Sequence, residues 1–294
     1  MVIKQSVNDR LFQAFSYVFI SLFALFCVVP FWMMIVGSIT DETELILSGY
    51  ALWPGQISFQ SYDLLFSSGT IFRSYGVTIL VTTIGTIIAV IISALLGYAI
   101  ANKRNRLRNP LAFYVYFTML FNGGLVPFYI LIHKWLQLSD TLWAMVFPVV
   151  MQPFLVFLLV NFFRTLPDEL EEAARIDGAN EVRIFFGIVL PISVPIVATV
   201  ALFFALSYWN DWFNALLFIN REELYPLQIL LRRLISNMQA AQNLLPASVS
   251  QFVNVPSLGM RMATTVVAIG PIIFLYPFVQ RYFVSGLTIG AVKG

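Results

Sequence analysis

Six stretches that lack Asp, Glu, Lys and Arg and could cross a bilayer limit what this chain can fold into more than any other feature of the sequence. A helix needs about 20 apolar residues to cross the hydrocarbon core of a bilayer, and each stretch is close to that length or longer. The sequence therefore predicts an all-α, polytopic membrane protein with six transmembrane helices, formed as a single domain over residues 1–294. The stretches are Leu11–Thr40, Ser74–Asn102, Asn109–His133, Thr141–Phe163, Ile184–Asn210 and Met262–Gln280.

The composition independently indicates a membrane protein. Hydrophobic residues make up 59% of the chain and charged residues 11%, with a mean hydropathy of +0.83, whereas about a quarter of a soluble domain is charged. The formal net charge of +2 is too small to indicate a nucleic-acid partner.

The single cysteine, Cys27, can form no internal disulfide. The single histidine, His133, has no Cys, Asp or Glu cluster around it, so no metal site is expected.

The missing groups also exclude classes of function. Proton- and sodium-coupled carriers usually place ionisable groups inside the membrane, where such groups are costly unless they are used. The charge-free stretches therefore argue against an ion-coupled carrier. The sequence has no G-x-x-x-x-G-K-[ST] loop to hold ATP phosphates and no nucleophile–base pair, so we expect neither a cofactor nor catalytic residues in this chain.

The basic residues predict the orientation of the chain in the membrane. With a cytoplasmic amino terminus, most Lys and Arg residues fall in cytoplasmic segments, and the short KRNRLR loop at 103–108 is the most decisive. The carboxyl terminus and residues 165–191 are then cytoplasmic, while residues 41–73 and 211–261 lie outside. We therefore expect a multi-pass protein of the cytoplasmic membrane with both termini inside.

The segment Thr165–Pro191 is the most charge-dense part of this apolar chain and predicts two short helices with a bend between them. Thr165 is the expected cap of the first helix, and its opening turns are acidic. Gly178 is expected to end that helix in the left-handed conformation, and Asn180 to cap the second helix. One helix face would let a partner approach the backbone closely, and it is formed by Leu170, Ala173, Ala174 and Asp177.

Three landmarks in this segment carry a resemblance to a known family. Glu172-Ala173-Ala174, Gly178 and Ile188-x-Leu190-Pro191 follow at the spacing of the EAA loop, so the segment resembles that loop in ATP-binding-cassette (ABC) importer permeases. The resemblance implies the type I importer permease fold and a coupling helix seated in a groove of a separate ATPase subunit, which binds ATP and Mg. The alternative is an amphipathic cytoplasmic hairpin with no partner. The residues implied in ATPase coupling are Glu172, Ala173, Ala174, Asp177, Gly178, Ile188, Leu190 and Pro191.

A second candidate site lies in SYWNDWFNALLFIN, residues 207–220, the densest cluster of aromatic and amide groups in the chain. Sugars are commonly held by aromatic faces together with amide and carboxylate hydrogen bonds. An aromatic belt at the membrane interface would have much the same composition, so both interpretations stay open. The candidate substrate-path residues are Trp209, Asn210, Asp211, Trp212 and Asn214.

Two further segments have a recognisable pattern. FNGGLVPFY at 121–129 contains Gly123, Gly124 and Pro127, which are expected to loosen the third span, either as a structural kink or in contact with substrate. LYPLQILLRRLI at 224–235 predicts an amphipathic helix. Its Arg232 and Arg233 would meet lipid headgroups or, alternatively, help to dock a binding protein or an anionic substrate.

The resemblance extends over essentially the whole chain. The six stretches, the EAA-like loop, WND at 209–211 and GLTIGAVKG at 286–294 are similar to carbohydrate-importer permeases of the maltose-permease-G kind. Ala215 departs from this pattern, since many members have a proline there. FNGGLVPFY and LYPLQILLRRL resemble the branch that imports oligosaccharides from complex polysaccharides, which includes permeases for acidic oligosaccharides such as alginate.

This resemblance implies a permease subunit, not an enzyme, in an ATP-driven importer of oligosaccharides at the inner membrane. An ABC permease for a non-sugar solute is the alternative, and an ion-coupled carrier is the less favoured class. The implied partners are a second homologous permease in a heterodimer, two ATPase subunits, an extracytoplasmic solute-binding protein, membrane lipid and the oligosaccharide itself.

Overall fold

The computed structural model describes residues 7–67, 69–244, 258–270 and 273, and these residues form helices joined by short turns. Within these ranges the extended backbone pairs at one isolated antiparallel bridge, between Thr40 and Ile57. The all-α class predicted from the sequence is confirmed. The GLTIGAVKG tail and part of the sixth apolar stretch lie outside the described residues.

In the described ranges, two helices are long and apolar enough to cross a bilayer without interruption. They are α1 (Val7–Ser38) and α4 (Thr70–Ala101), each of 32 residues. At 1.5 Å per residue such a helix is about 48 Å long, well beyond the roughly 30 Å of a bilayer's hydrocarbon core. Between them lie two short helices, α2 (Glu42–Ser48) and α3 (Gln60–Ser67).

The next three apolar stretches form pairs of helices that bend sharply at a break. The angles between the halves are 115°, 52° and 86° in chain order. The sequence analysis predicted a loosened helix in the first of these three stretches and no break in the other two. The pairs are α5 (Arg108–Leu120) with α6 (Leu125–Ile130), α7 (Trp143–Val146) with α8 (Pro153–Phe163), and α10 (Glu181–Ile184) and α11 (Leu190–Ile192) with α12 (Val194–Trp209). A π-helical turn prolongs α6 to Trp135, a 3₁₀ turn prolongs α7 to Val149, and a second π-helical turn joins α10 to α11.

Local sequence explains the three breaks. Gly124 has a φ of 88°, which residues with a Cβ rarely adopt, so the helix stops at the glycine pair as the sequence predicts. Gln152 is extended because it precedes Pro153. The third break, at Ser193, lies between Pro191 and Pro195, which lack the backbone N–H that a continuous helix would use.

The chain forms two compact units. The first contains α1 to α3 and the stretch Arg233–Gly270, and the second contains residues 70–232. The remaining helices are α9 (Asp168–Ile176), α13 (Phe213–Phe218), α14 (Leu227–Leu244) and α15 (Leu258–Gly270).

In the first unit, the buried carboxylate of Glu42 holds the start of α15. It accepts hydrogen bonds from the backbone N–H groups of Leu258 and Gly259, each 2.9 Å long. The first N–H groups of a helix have no partner within the helix, and they favour negative charge. The Glu42 carboxylate therefore accepts hydrogen bonds from two N–H groups that have no partner within α15.

In the second unit, α8 and α12 pack along α4 at positions where α4 has little or no side chain. A Cβ built on Gly85 would lie 2.6 to 2.7 Å from three ring carbons of Tyr208 on α12. A Cβ on Gly97 would lie 3.1 Å from the Cβ of Leu159 on α8. The hydroxyl of the buried Tyr208 donates a 2.9 Å hydrogen bond to the carbonyl oxygen of Val146, so its ring is fixed at both ends.

We predict that Gly85→Ala lowers the stability of the protein, because the new methyl group would overlap the fixed ring of Tyr208. Overpacking of this kind costs about 1–3 kcal/mol. Gly76→Ala is the matched control, since a Cβ at Gly76 on the same helix would meet nothing within 4 Å. Thermal unfolding of the purified proteins in detergent measures the difference. Equal midpoints for the two variants would contradict this account of the α4–α12 contact.

Candidate functional site

The EAA-like segment folds as the two predicted short helices, α9 and α10. Pro167 occupies the position before α9 and has no capping side chain. The prediction that Thr165 caps α9 is wrong, because its hydroxyl instead donates a 2.7 Å hydrogen bond to the carbonyl oxygen of Phe162 in α8. The first turn of α9 is acidic, which suits the positive end of the helix dipole, and its acidic residues are Asp168, Glu169 and Glu171.

The turn between the two helices has the predicted conformation. Gly178 has a φ of 83°, in the left-handed region. A Cβ built there would meet no atom within 4 Å, so the backbone conformation and not the available space requires glycine. Asn180 caps α10 as predicted, since its Oδ1 accepts a 2.9 Å hydrogen bond from the N–H of Arg183.

The helix α9 has two different faces. Its outer face is formed by Leu170, Ala173, Ile176 and Asp177. Leu170 and Ile176 are 42% and 87% exposed, high values for apolar side chains. Ala174 points the other way and packs against the hydrophobic core of the second unit. The single face predicted to contain both alanines is therefore divided between the two sides of α9.

The last part of the EAA-like motif lies in the bend after α10. Ile188 belongs to the π-helical turn Phe185–Val189, and Leu190 and Pro191 begin α11. Leu190 packs against the core, and the chain turns by 86° directly after α11. The coupling residues inferred from the motif thus occupy two places, the helix α9 and the bend that leads into α12.

The inner side of α9 is fixed by a cluster of charged and polar side chains that we call the Arg175 cluster (Tyr98, Glu171, Arg175 and Glu181). The Arg175 guanidinium donates to Glu171 at 2.7 Å and to Glu181 at 2.9 Å, and the Tyr98 hydroxyl donates to Glu181 at 2.9 Å. The Arg175 and Glu171 side chains are only 18% and 21% exposed. The hydrogen bond to Glu181 raises the pKa of Arg175 above its ordinary value, so the cation keeps its charge. Since Tyr98 lies on α4, the cluster joins α9 to the central helix of this unit.

Two exposed ion pairs hold the other edge of α9. Lys103 pairs with Asp168 at 2.6 Å and Arg104 pairs with Glu172 at 2.8 Å. Both basic residues come from the KRNRLR loop, which the sequence analysis used only to predict orientation. The signal that could have found these pairs is the opposite charge of two segments predicted on the same side of the membrane. A cavity of about 160 Å³ lies between this loop and α9.

The structure brings the second candidate site together where α12 ends. Trp209 is buried and faces the ring of Tyr75, with 6.4 Å between the ring centroids. Asp211 accepts hydrogen bonds from the backbone N–H and the side-chain amide of Asn214, at 3.1 and 2.8 Å. Burial raises the pKa of the Asp211 carboxyl, and these hydrogen bonds oppose that shift. Trp209, Asp211 and Asn214 therefore have structural partners. Asn210 is exposed, and its side-chain amide donates a 2.9 Å hydrogen bond to the carbonyl oxygen of Leu206.

Sequence reasoning missed the connection between this segment and α14. The guanidinium of Arg232 lies over the ring of Trp212, with its central carbon 3.8 Å from the ring centroid. One turn earlier on α14, the side-chain amide of Gln228 donates to Asn210 at 3.5 Å. Arg232 therefore covers one face of the Trp212 ring, and a sugar cannot stack on that face.

The break between α5 and α6 also lies close to this segment. Phe213 of α13 lines an open cavity of about 640 Å³ together with Asn122, Gly124, Pro127 and Phe128. The glycine break and the segment after α12 therefore meet at one cavity. No group of three or more His, Cys, Asp or Glu residues in the described ranges could hold a metal ion.

Comparisons with known proteins agree on one family. The chain matches the model of the binding-protein-dependent transport system inner membrane component over residues 93–289. It is 38% identical over 291 residues to the polygalacturonan/rhamnogalacturonan transport system permease protein of Bacillus subtilis, with 98% of this chain and 100% of the relative covered. It is 30% identical over 276 residues to the arabinooligosaccharides transport system permease protein of Halalkalibacterium halodurans, with 92% and 93% covered.

A solved structure agrees with these relatives. The fold is similar to a chain in the crystal structure of a bacterial ABC transporter involved in the import of the acidic polysaccharide alginate, with a TM-score of 0.81 and 29% identity. The match covers 96% of this chain and 100% of that chain. The family match includes α9, the Arg175 cluster and residues 209–214. The chain therefore belongs to the family of binding-protein-dependent transport system inner membrane components, as a permease subunit of the sugar ABC importers.

Proposed function

We propose that this permease is coupled to its ATPase through the outer face of α9 and that the Arg175 cluster passes the movement on to α4. The observation that carries this proposal is the contrast between the two sides of α9. One side is joined to α4 by a partly buried ionic cluster, while the other exposes Leu170 and Ile176. An exposed apolar face on a helix that is otherwise firmly attached suits a protein partner.

Force applied to α9 would reach the membrane through contacts that are short and numerous. The Arg175 cluster and the pairs Lys103–Asp168 and Arg104–Glu172 connect α9 to the end of α4 and the loop that follows it. Because α12 and α8 pack along α4, displacement of its end would move both of them. The bend after Pro191 supplies a second connection, directly into α12.

The proposed assembly follows from the family and the charge distribution. The chain would pair with a second homologous permease, and two ATPase subunits that bind ATP and Mg would sit on α9 and its counterpart. A solute-binding protein would deliver substrate from the other side of the membrane. The basic loop at 103–108 supports a cytoplasmic location for α9 and for both termini.

We further propose that the oligosaccharides carry uronate groups. The relative from Bacillus subtilis is named for polygalacturonan, a polymer of galacturonate, and the similar solved structure belongs to an importer of an acidic polysaccharide. The candidate path lies at residues 209–214. Asn210 is its proposed contact residue, and Trp209, Asp211, Trp212 and Asn214 support it.

Arg175→Met tests the connection between α9 and α4. It would leave the carboxylates of Glu171 and Glu181 together without their cation, and the loss of a charged partner in a partly buried cluster costs about 1–3 kcal/mol. We expect faster hydrogen exchange in residues 168–178 and weaker stimulation of ATP hydrolysis by substrate. Lys103→Met should have a smaller effect, because its pair with Asp168 is 68% and 65% exposed and such pairs contribute about 0–1 kcal/mol. If Arg175→Met behaves like the wild type, the cluster does not transmit the movement.

Gly178→Val tests the position of α9 itself. The substitution forces a β-branched residue into the left-handed region at a cost of roughly 1–2 kcal/mol, too little to unfold the membrane helices but enough to tilt a short helix. We expect normal insertion and poor coupling of ATP hydrolysis to uptake in the reconstituted importer. Gly178→Asn should be milder, because asparagine tolerates this conformation. Gly187→Ala, at a position with nothing within 4 Å and no left-handed φ, should have no effect. Full coupling in Gly178→Val would refute the role proposed for this loop.

Cysteine labelling tests the orientation. In a Cys27→Ser background, Arg106→Cys and Glu222→Cys each place a thiol at an exposed position on opposite predicted sides of the membrane. A membrane-impermeant maleimide added outside should label position 222 and spare position 106, with both labelled after permeabilisation. The reverse pattern before permeabilisation would overturn the proposed orientation.

A further inference from the structure

The start of α14 is held rigidly, and this fixes the direction of two polar side chains. Leu227, Leu230 and Leu231 are buried, and the N–H of Leu227 donates a 2.8 Å hydrogen bond to the hydroxyl of Thr78 on α4. Gln228 and Arg232 are one helical turn apart and therefore lie on one face of the helix. Both are directed at the segment that follows α12, where they contact Asn210 and Trp212.

The Arg232 guanidinium is positioned by an aromatic ring and not by an acid. Its central carbon lies 3.8 Å from the centroid of the Trp212 ring, and the residue is exposed. The ion pairs among the described residues involve basic side chains other than Arg232, for example Arg221, which pairs with Glu223. The acid next to Trp212, Asp211, is hydrogen-bonded to Asn214. A guanidinium stacked on a ring keeps its N–H groups in its own plane, where they can bind an incoming anion.

Neighbouring groups suit a sugar acid in particular. Gln228 lies one helical turn from Arg232, and its side-chain amide donates to that of Asn210. Asn210 in turn donates to the carbonyl oxygen of Leu206, and the remaining N–H groups and oxygen lone pairs of the two amides can bind sugar hydroxyls. A planar guanidinium binds a carboxylate through two parallel N–H···O bonds, which a neutral sugar cannot accept in the same way.

We propose that Arg232, held on Trp212, binds the carboxylate of a uronate residue in the transported oligosaccharide, and that Asn210 and Gln228 bind the adjacent hydroxyls. This site rests on the proposed import of uronate oligosaccharides and adds the residue that selects for their charge. Trp212 then acts as a platform for the arginine and not as a stacking surface for the sugar.

The test is uptake by the complete importer, reconstituted with its partner subunits and binding protein in vesicles of zwitterionic lipid. The probes are trigalacturonate, an alginate-derived trimer, and the carboxyl-reduced, neutral form of each. Arg232→Gln should reduce uptake of the acidic trimer that the wild type transports by about tenfold to a hundredfold, the range expected for loss of a charge-assisted hydrogen bond. Uptake of any neutral trimer should be unchanged. Arg232→Lys, which keeps the charge without the fork, should be intermediate. Arg221→Gln, whose arginine is paired with Glu223, is the matched control and should transport like the wild type.

The outcomes separate this site from the proposed substrate class. Equal uptake of the acidic trimer by Arg232→Gln and wild type overturns the site and leaves the substrate class standing. Wild-type uptake of neutral trimers alone overturns the substrate class, and the site with it. A lipid headgroup could supply the same anionic oxygen atoms, so the comparison is repeated in vesicles that contain anionic lipid. A defect of Arg232→Gln that occurs only with anionic lipid assigns the arginine to the membrane and overturns the site.

Discussion

The second unit depends on how closely other helices approach α4. In a bilayer, apolar surface gains little from leaving lipid for protein, so helices associate through close packing and hydrogen bonds between them. Gly85 provides the space for the ring of Tyr208, and Gly97 provides the space for Leu159. The Tyr208 hydroxyl then reaches the carbonyl oxygen of Val146, so one tyrosine connects three helices. The role proposed for the Arg175 cluster, which is to transmit movement from α9 to α4, depends on this close packing along the rest of α4.

The same physical reasoning explains what the sequence predicted about the fold. The absence of charges marks the membrane-embedded stretches, because charges are costly there, and the bounds of α1 and α4 agree closely with that pattern. The glycine pair at 123–124 marks the first break. The breaks at Gln152 and Ser193 were not predicted, because a proline in the interior of a span can kink a helix without ending it. No angle was predictable, since the bend depends on which neighbours pack against each half.

In the candidate site, local features were predictable from the sequence, and contacts between distant segments were not. Gly178 and Asn180 were predictable because each acts through the backbone of its own turn. The Arg175 cluster was not, because its partner Tyr98 is 73 to 83 positions away in the sequence from the two glutamates that it contacts. The orientation of Ala174 towards the core and the position of Arg232 over Trp212 likewise depend on the arrangement of whole helices. At α9 and at residues 209–214, the residue types indicated which kinds of contact the side chains could make. The tertiary packing determined which of these contacts are formed.

Glu42 has a consequence for how the chain is made. Its carboxylate is satisfied by backbone groups 216 and 217 residues further along, near the end of the sequence. These two hydrogen bonds can form only after residues 258 and 259 have been synthesised, and closing so long a loop is entropically unfavourable. The contact between α2 and α15 is therefore expected late in folding, whereas α2 itself can form as soon as its seven residues have been made.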